Sequence, residues 1–591
     1  MLNRDEFNIL YNIKKNANIT QRSLAKQCGV SLGKINSGVS LLKGKGYLSK
    51  EGRITQYGLD ALKPYKVKNA IILAAGFSSR CRPLSYEKPK GLFKVKDEIL
   101  IERQIKQLFE KNICDIYVVV GYKKELFFYL ERKYGVHIIV NSEYAERNNT
   151  SSVFAAKEIF GNSYICYSDN YINLNGYESY VYQSYFAVMY SNKYTDEYVV
   201  KFNKNGLITN YYQGDINCWY QMGEMYFDNE TAQTFLNLLK IEYNYPSIYD
   251  MKIDDFYIRH MSNFDIYIKQ YPENAILEFD TISDIKSFDE KFIQNMGDNI
   301  LTNICNTLKC KDNDISNIVQ IHKGLTNMIF SFECNGNKYI YRQPGIGTDK
   351  IIDREKEFLA QQIAKDRGLD SSLIACNPQK GWKICKFLEN IEFSYEDKND
   401  IKKGIALIKK MHSKNNYTLG WEFNMLEQAE KIQNQISSEY YDSHKNFVEL
   451  QQKITELYYL IKKDNIDIEM CHNDICPNNI LIGKNETYLI DWEYAGDNDP
   501  AADICSFIIN YNFSDQQCDE ILNEYLGHIM TLQEKRHYYG YIAVTAYFYF
   551  SWAIYMESKG NNIGNFTYFW FNYATKYGDE AMALYKIKNN K

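Results

Sequence analysis

Residues 471–496, CHNDICPNNILIGKNETYLIDWEYAG, form the most specific pattern in this chain of 591 residues. His472 and Asp474 are followed by Asn479, five residues after the aspartate, and Asp491 ends an apolar run twelve residues later. A single His-x-Asp triplet is common by chance, whereas the triplet, the asparagine and a strand ending in Ile-Asp form a specific combination. This combination decides the fold that we expect for the second half of the chain.

The pattern resembles the catalytic loop of protein-kinase-like enzymes. The resemblance implies that Asp474 accepts the proton of a substrate hydroxyl group, and that Asn479 and Asp491 hold Mg²⁺ on the phosphates of a nucleotide. Residues 291–591 are therefore expected to form a two-lobed kinase-like domain, with the N-lobe ending near residue 390.

The segment upstream of this loop resembles choline kinases. YIYRQPG places Arg342 where protein kinases carry a lysine, and arginine at this place is typical of choline kinases. The expected acidic partner of Arg342 is Glu357, with Glu355 as the alternative. The hairpin KGLTNMIFSF implies three further contacts to the nucleotide phosphates, at Gly324, Thr326 and Asn327.

The segment FYFSWAIYMES predicts a binding site for the substrate cation. Trp552 and Tyr555 stand three residues apart on one helix face and resemble the paired aromatic residues of a choline kinase pocket. Glu493, with Asp503 downstream, is expected to add negative charge near the cation. The alternative is that this helix is simply buried in the C-lobe core.

From residue 68 onward, apolar strands, loops and helices alternate, which predicts βαβ units and a mainly parallel sheet. The first strand runs into AIILAAGFSSRCRPLSYEKPKGL, residues 70–92, where small residues let the backbone approach a ligand and cradle phosphate. Cationic side chains follow at the end of the sheet where such folds bind ligands, namely Arg80, Arg82 and Lys90. A nucleoside triphosphate is the expected ligand.

This segment resembles nucleoside-triphosphate transferases that activate sugar phosphates or phosphocholine. The resemblance implies that Lys90 neutralises the attacked phosphate and Arg80 the leaving pyrophosphate. It also implies nucleotide contacts at Leu73, Ala74, Ala75, Gly76 and Ser79. The chain departs from the family at Ser78, where a second glycine is usual.

Two strand ends are expected to supply the Mg²⁺ ligands of the transferase. YICYSDNY supplies Asp169, and AILEFDTISD supplies Glu278 and Asp280, of which Asp280 matches the family's second ligand. The motifs SDNY, RNNTSS and GEMYFD make residues 68–290 resemble bacterial CTP:phosphocholine cytidylyltransferases.

Because a quaternary ammonium group cannot donate hydrogen bonds, aromatic faces are expected to bind it. The candidates are Tyr198, Trp219 and Tyr226, with Glu197 as a counter-charge. The alternative is that these aromatic residues belong to the core.

Residues 1–66 carry 12 Lys and Arg against 4 Asp and Glu, although the whole chain has a net charge of −5. Their short helices resemble a winged helix-turn-helix, with Thr20 and Ser31 as N-caps, Gly29 at the turn and residues 31–43 as the helix that enters a DNA major groove. The expected phosphate contacts are Arg22, Lys26, Lys34, Lys43 and Arg53. The alternative is that this basic unit packs against the enzyme or forms a dimer.

Cysteine usage and hydropathy favour a cytoplasmic protein. The 14 cysteines form no CxxC pair, which is typical of reduced thiols. The start of the chain lacks the pattern of a secretion signal, and the uncharged stretch from Tyr541 to Met556 is shorter than the roughly 20 residues that span a membrane.

Together these patterns predict a multidomain α/β and α+β protein. It comprises a winged helix (1–66), a Rossmann-like nucleotidyltransferase (67–290) and the kinase-like domain (291–591). The expected function is bifunctional: ATP phosphorylates choline, and CTP then converts phosphocholine to CDP-choline. The alternatives are a sugar-phosphate nucleotidyltransferase fused to an aminoglycoside-like or ethanolamine kinase, and a DNA-binding regulator that senses metabolites. The sequence leaves the oligomeric state open.

Overall fold

A computed structural model describes residues 2–293, 300–321, 327–344, 352–412, 417–436, 445–484, 486–558 and 563–587. The chain divides into two compact units, Met1–Asn303 and Ile304–Lys591. The first unit spans both the predicted winged helix and the predicted nucleotidyltransferase, so the boundaries at residues 66 and 290 remain predictions. Among the described residues, no helix is both long enough and apolar enough to cross a membrane.

Four short helices open the first unit: α1 (Arg4–Lys15), α2 (Gln21–Cys28), α3 (Leu32–Gly44) and α4 (Gln56–Leu62). Thr20 and Ser31 each accept a hydrogen bond from the backbone N–H three residues on, which confirms both predicted N-caps. Gly29 ends α2 with a φ of 65°, a left-handed conformation that glycine adopts without steric cost. The wing is reduced to a single antiparallel bridge between Leu48 and Ile54.

These helices pack against the rest of the first unit through aromatic side chains. The rings of Tyr65 and Tyr182 stack with centroids 5.5 Å apart, and Phe7 lies against both. Lys15 forms an ion pair with Glu178 at 2.9 Å. Part of the basic domain is therefore fixed to the enzyme, as the alternative interpretation expected.

Residues 67–293 contain thirteen strands and six helices. The strands are β1 (Asn69–Ala74), β2 (Lys94–Val95), β3 (Glu98–Ile99), β4 (Ile116–Val120), β5 (His137–Val140), β6 (Ser163–Tyr167), β7 (Asn170–Ile172), β8 (Tyr185–Ser191), β9 (Thr195–Phe202), β10 (Ile208–Asp215), β11 (Cys218–Phe227), β12 (Tyr267–Gln270) and β13 (Ile276–Glu278). The helices are α5 (Leu100–Glu110), α6 (Tyr129–Tyr134), α7 (Thr150–Ala155), α8 (Asn229–Glu242), α9 (Ile253–His260) and α10 (Ile282–Phe288).

The main sheet has a parallel core in the order β6-β1-β4-β5, extended beyond β6 by the antiparallel strands β11, β9 and β10. All six residues of β1 are buried, as expected for a strand covered on both faces. The carboxyl ends of β1 and β6 lie side by side, because these neighbouring strands run parallel. This edge of the sheet carries the first candidate site.

The second unit combines an antiparallel sheet with a helical lobe, which confirms the two-lobed kinase-like fold. Its strands are β14 (Ile315–Ile321), β15 (Asn327–Cys334), β16 (Asn337–Pro344), β17 (Leu373–Cys376), β18 (Lys383–Lys386), β19 (Ile391–Glu392), β20 (Glu469–Cys471), β21 (Ile480–Ile482), β22 (Thr487–Leu489) and β23 (Gly496–Asn498). The helices, starting with one that crosses the unit boundary, are α11 (Ile300–Leu308), α12 (Arg354–Asp366), α13 (Lys398–Met411), α14 (Met425–Gln433), α15 (Lys445–Ile461), α16 (Ala501–Ile509), α17 (Asp515–Leu526), α18 (Leu532–Ser558) and α19 (Phe566–Lys586).

Candidate active sites

The loop after β1 forms one wall of a cleft of about 530 Å³ at the carboxyl edge of the main sheet. Ser78, where a second glycine was expected, has a φ of 53°, a left-handed conformation that glycine adopts without steric cost. Its hydroxyl oxygen accepts a hydrogen bond from the backbone N–H of Lys90 at 3.1 Å, which ties the two ends of the loop together. The cleft is lined by most of the residues predicted to contact this nucleotide: Leu73, Ala74, Ala75, Gly76, Ser79, Arg80 and Lys90. Arg82 does not line the cleft, and its guanidinium group lies over the ring of Tyr86.

Two ion pairs cross this cleft. Lys90, only 6% exposed, lies 3.0 Å from the carboxylate of Asp169, and Arg80 lies 2.7 Å from that of Asp280. Burial alone would lower the pKa of Lys90, but Asp169 and Glu278 raise it, so the amine keeps its proton. The cleft therefore offers fixed positive charge at the places where phosphates would bind.

Glu278 is brought to Asp169 by sheet register. Strand β13 pairs with β7 so that Glu278 stands opposite Asn170, the residue next to Asp169. Although the side chain of Glu278 opens on the cleft, the surrounding protein and the nearby Asp169 raise its pKa to about 8. Glu278 thus lies at the centre of the acidic cluster, while Asp280, the residue preferred from sequence, is paired with Arg80.

The three carboxylates fit a divalent cation. Asp169, Glu278 and Asp280 line the same cleft, and carboxylate oxygens are the ligands that Mg²⁺ prefers. The raised pKa of Glu278 indicates that these anions repel one another, and a bound cation would relieve that repulsion.

The structure contradicts two substrate assignments in this domain. Tyr226 is completely buried and lines a different cavity. The hydroxyl group of Tyr198 donates to Asp255 at 2.7 Å, and the residue does not line the nucleotide cleft. The sequence reasoning missed Tyr220. Burial is the main cause that raises the pKa of its hydroxyl group, and the nearby Glu197 raises it further. The neighbouring Asp280 likewise raises the pKa of Glu197, again after burial, although neither Glu197 nor Tyr220 lines the nucleotide cleft.

In the second unit, Asp503 anchors the catalytic loop. This fully buried residue accepts the backbone N–H groups of His472 and Asn473 at 3.0 and 2.6 Å. Asp503 is therefore a structural anchor, and its predicted role as a charge near the substrate cation is wrong. The anchor holds the residues just before Asp474 in place.

Asp474 is held by two side chains. Asn479 donates its amide N–H to one carboxylate oxygen of Asp474 at 3.1 Å, and the hydroxyl group of Tyr549 donates to the other. The surrounding protein raises the pKa of Asp474, and both hydrogen bonds oppose that effect. Tyr549 lies on α18 one turn before Trp552, so this helix face points towards Asp474.

A second cleft, of about 470 Å³, lies between the two lobes of this unit. Its lining includes apolar residues such as Ile329 and Phe387, together with Asn479 and Asp491. Since the amide nitrogen of Asn479 is used on Asp474, its amide oxygen remains to join the Asp491 carboxylate as a hard ligand. These residues fit a nucleotide-bound Mg²⁺.

Glu357, rather than the exposed Glu355, contacts Arg342. Its carboxylate lies 2.6 Å from Arg342 and 2.9 Å from both Arg354 and Lys383. Despite its burial, Lys383 and Arg342 hold the pKa of Glu357 well below its usual range. Lys383 is a site residue that the sequence reasoning missed. Register places it opposite Arg342 on β18, from where it lines the cleft.

The remaining kinase assignments divide into four groups. Glu493 lies 3.5 Å from Arg354 and 3.8 Å from Arg342, so its predicted role beside the substrate cation is wrong. Asn327 Nδ2 lies 3.5 Å from Glu493 and does not line the cleft, so its contact with the nucleotide phosphates stays a prediction. Trp552 and Tyr555 are half-buried and pack on the helical core, which leaves both interpretations of this pair open. Gly324 and Thr326 lie outside the described residues.

We expect Tyr549→Phe to lower kcat for the phosphoryl transfer about ten- to a hundredfold, because it removes a hydrogen bond to a charged group. The ring would still pack on Trp570, so KM for the nucleotide should stay unchanged. Steady-state kinetics measures kcat and KM separately. The control is Tyr547→Phe, which removes another buried hydroxyl group of the same helix, one that contacts Gln433 instead of Asp474. Equal kcat losses in the two variants would contradict a positioning role for Tyr549.

We expect Glu357→Gln to destabilise the second unit by about 3–5 kcal/mol, since it leaves three buried cations without their common anion. The exposed Glu355→Gln, on the same helix turn, should change stability by no more than about 0.5 kcal/mol. Urea unfolding of the full chain compares the two variants. Similar small effects would show that the Glu357 network contributes little to stability.

Family models match three segments of the chain. "Winged helix-turn-helix DNA-binding" matches residues 2–49, "Nucleotidyl transferase" residues 69–197, and "Choline/ethanolamine kinase" residues 318–541. The three matches follow the order of the predicted domains.

Relatives of known name resemble the chain over parts of its length. A choline-phosphate cytidylyltransferase of Streptococcus pneumoniae is 32% identical over 221 residues, which cover 37% of this chain and 96% of the relative. A 2-aminoethylphosphonate cytidylyltransferase of Lancefieldella rimae is 30% identical over 234 residues, which cover 38% of this chain and 93% of the relative. The solved structure of choline kinase LicA from Streptococcus pneumoniae is 22% identical, covers 49% of this chain and 99% of that chain, and has a TM-score of 0.41.

Proposed function

We propose that this chain, which belongs to the choline-phosphate cytidylyltransferase family and carries a choline/ethanolamine kinase domain behind it, makes CDP-choline in two consecutive reactions. The second unit phosphorylates choline with ATP, and the first unit transfers CMP from CTP to phosphocholine with release of pyrophosphate. The observation that carries the proposal is the presence of two separate clefts, each combining carboxylates with buried cations.

In the kinase reaction, Asp474 takes the proton of the choline hydroxyl as the oxygen attacks the terminal phosphate of ATP. Arg342 and Lys383 face the phosphates from the sheet, while Glu357 fixes both cations. Trp552 and Tyr555 are proposed to pack on the trimethylammonium group.

In the cytidylyl transfer, the phosphate of phosphocholine attacks the α-phosphate of CTP. Lys90 stabilises the charge that builds up on this phosphate, and Arg80 interacts with the departing pyrophosphate. Glu197 and Tyr220 are proposed, in place of Tyr198 and Tyr226, to face the choline cation.

Mg²⁺, when bound by Asp169 with Glu278 or Asp280 and by Asn479 with Asp491, supplies the positive charge that allows two anionic groups to approach each other. Purified protein with Mg²⁺, ATP, CTP and choline should therefore form CDP-choline and pyrophosphate. Omission of ATP should stop the reaction from choline but not from phosphocholine. Product from 2-aminoethylphosphonate or ethanolamine in preference to the choline compounds would shift the proposed substrate.

The winged helix supports a second proposed activity, the binding of duplex DNA. Arg22, Lys26 and Arg53 are exposed, whereas Lys34 is paired with Asp5 at 2.7 Å. We expect Arg22→Ala and Lys26→Ala each to weaken binding about equally for all sequences, and each to reduce the salt slope by about one. Electrophoretic shift titrations at several salt concentrations measure both effects. An unchanged slope in both variants would exclude these residues as phosphate contacts.

A further inference from the structure

A second cavity of about 590 Å³ lies in the first unit, away from the nucleotide cleft. Pro64 and Tyr65, which precede β1, line it together with Asn162, which precedes β6. The cavity therefore lies at the amino edge of the parallel strands, whereas the nucleotide cleft lies at their carboxyl edge. Leu2 also lines it, so the winged helix and the transferase share its walls. Boundaries between domains are common places for small-molecule sites.

Aromatic rings form part of these walls. Tyr182 and Tyr267 are partly exposed at the cavity, Tyr65 and Phe264 are largely buried behind it, and Tyr226 is completely buried. The stacked pair of Tyr65 and Tyr182 is fixed by hydrogen bonds from both hydroxyl groups to the backbone carbonyl oxygen of Leu2, at 3.1 and 3.3 Å. The buried hydroxyl group of Tyr226 has no hydrogen-bond partner among the described residues.

The charged groups of the lining are all negative. Asp228, Glu230 and Asp265 contribute carboxylates, and none of the described lining residues is Lys or Arg. Asp228 is held as the N-cap of α8, where its carboxylate accepts hydrogen bonds from Ser184 and Thr231. Arg4, outside the lining, lies close enough to Tyr182 to oppose the rise of its pKa, and it donates to a backbone carbonyl oxygen at 3.4 Å.

We infer that this cavity binds a small organic cation of the quaternary ammonium class. Aromatic faces attract such a cation through the ring quadrupole, and carboxylates add long-range attraction. The same carboxylates repel nucleotides and other phosphate compounds. This inference goes beyond the proposed function, because the site lies apart from the nucleotide cleft and does not depend on either reaction.

Hydrogen exchange with mass spectrometry on the full chain tests the inference, since it localises binding to peptides. We expect choline to slow exchange in residues 180–184 and 262–267, and its uncharged isostere 3,3-dimethyl-1-butanol to leave both segments unchanged. Equal protection by the two compounds, or protection by neither, would overturn the inference. Because the readout is local, loss of both enzyme activities would not affect it.

Two kinds of variant separate charge from packing. The double variant Glu230→Gln/Asp265→Asn removes two exposed charges without disturbing the fold. The single variant Tyr267→Leu removes an aromatic face. Each should weaken the choline-dependent protection about two- to thirtyfold. Tyr194→Leu, an exposed tyrosine outside the lining, should not change it. Unchanged protection in the first two variants would show that these groups do not bind the cation.

Discussion

Asp474→Ala should abolish CDP-choline formation from choline while leaving the reaction from phosphocholine intact. The expected loss from choline is about 10²- to 10⁴-fold, the usual effect of removing a general base. The residue is held by Tyr549 and Asn479 in the second unit, so its removal should not reach the transferase cleft. Pyrophosphate release and chromatography of the product, measured with each starting compound, check the result.

The matched control for this experiment is Asp467→Ala, an exposed aspartate shortly before the catalytic loop. It should behave like the unaltered chain with both starting compounds. Two results would show that the assignment of the kinase step to the second unit is wrong. Asp474→Ala could lose activity with phosphocholine as well as with choline, or it could keep full activity with both compounds.

Lys90→Met should have the opposite effect: the cytidylyl transfer is lost and the phosphorylation of choline is kept. Methionine keeps the length and much of the packing of the lysine, but it leaves Asp169 and Glu278 without their shared cation. We expect CMP transfer to phosphocholine to fall by about 10²- to 10³-fold, because a preorganised charge is lost at the attacked phosphate. Phosphorylation of choline by ATP should continue at the original rate, and radiolabelled choline distinguishes the two products.

Lys88→Met, at an exposed position two residues earlier, is the control for the loss of a positive charge. It should retain both activities. A comparable loss in Lys88→Met would indicate that net charge around the cleft, rather than the position of Lys90, supports the transfer.

Residues that follow strands or belong to one continuous loop could be placed from the sequence. The residues from Leu73 to Gly76 and Asp169 share a cleft because the parallel strands β1 and β6 end at one edge. Glu278 is brought there by the antiparallel pairing of β13 with β7. The spacing of Asp474 and Asn479 is local, and their hydrogen bond follows from the shape of one loop. Such short-range arrangements leave few alternatives.

Residues positioned by strand pairing were harder to place. Lys383 reaches Arg342 only because β16 and β18 are neighbours in register, which no local pattern indicates. Tyr226 and Tyr198 were assigned to the wrong surroundings because the sequence does not show which side chains of β11 and β9 pack into the core on either side of the sheet. The sequence also could not show that Arg354 would form an ion pair with Glu493 and balance its negative charge.

The most direct test of two independent active sites is to mix the two inactive variants. With choline, ATP, CTP and Mg²⁺, the Asp474→Ala chain alone should form no CDP-choline, and the Lys90→Met chain alone should stop at phosphocholine. The mixture should form CDP-choline, because phosphocholine released by one chain can enter the transferase site of the other. A mixture that accumulates phosphocholine without CDP-choline, although Asp474→Ala accepts added phosphocholine, would contradict free passage between the sites. A mixture in which neither product forms would contradict the two-site account itself.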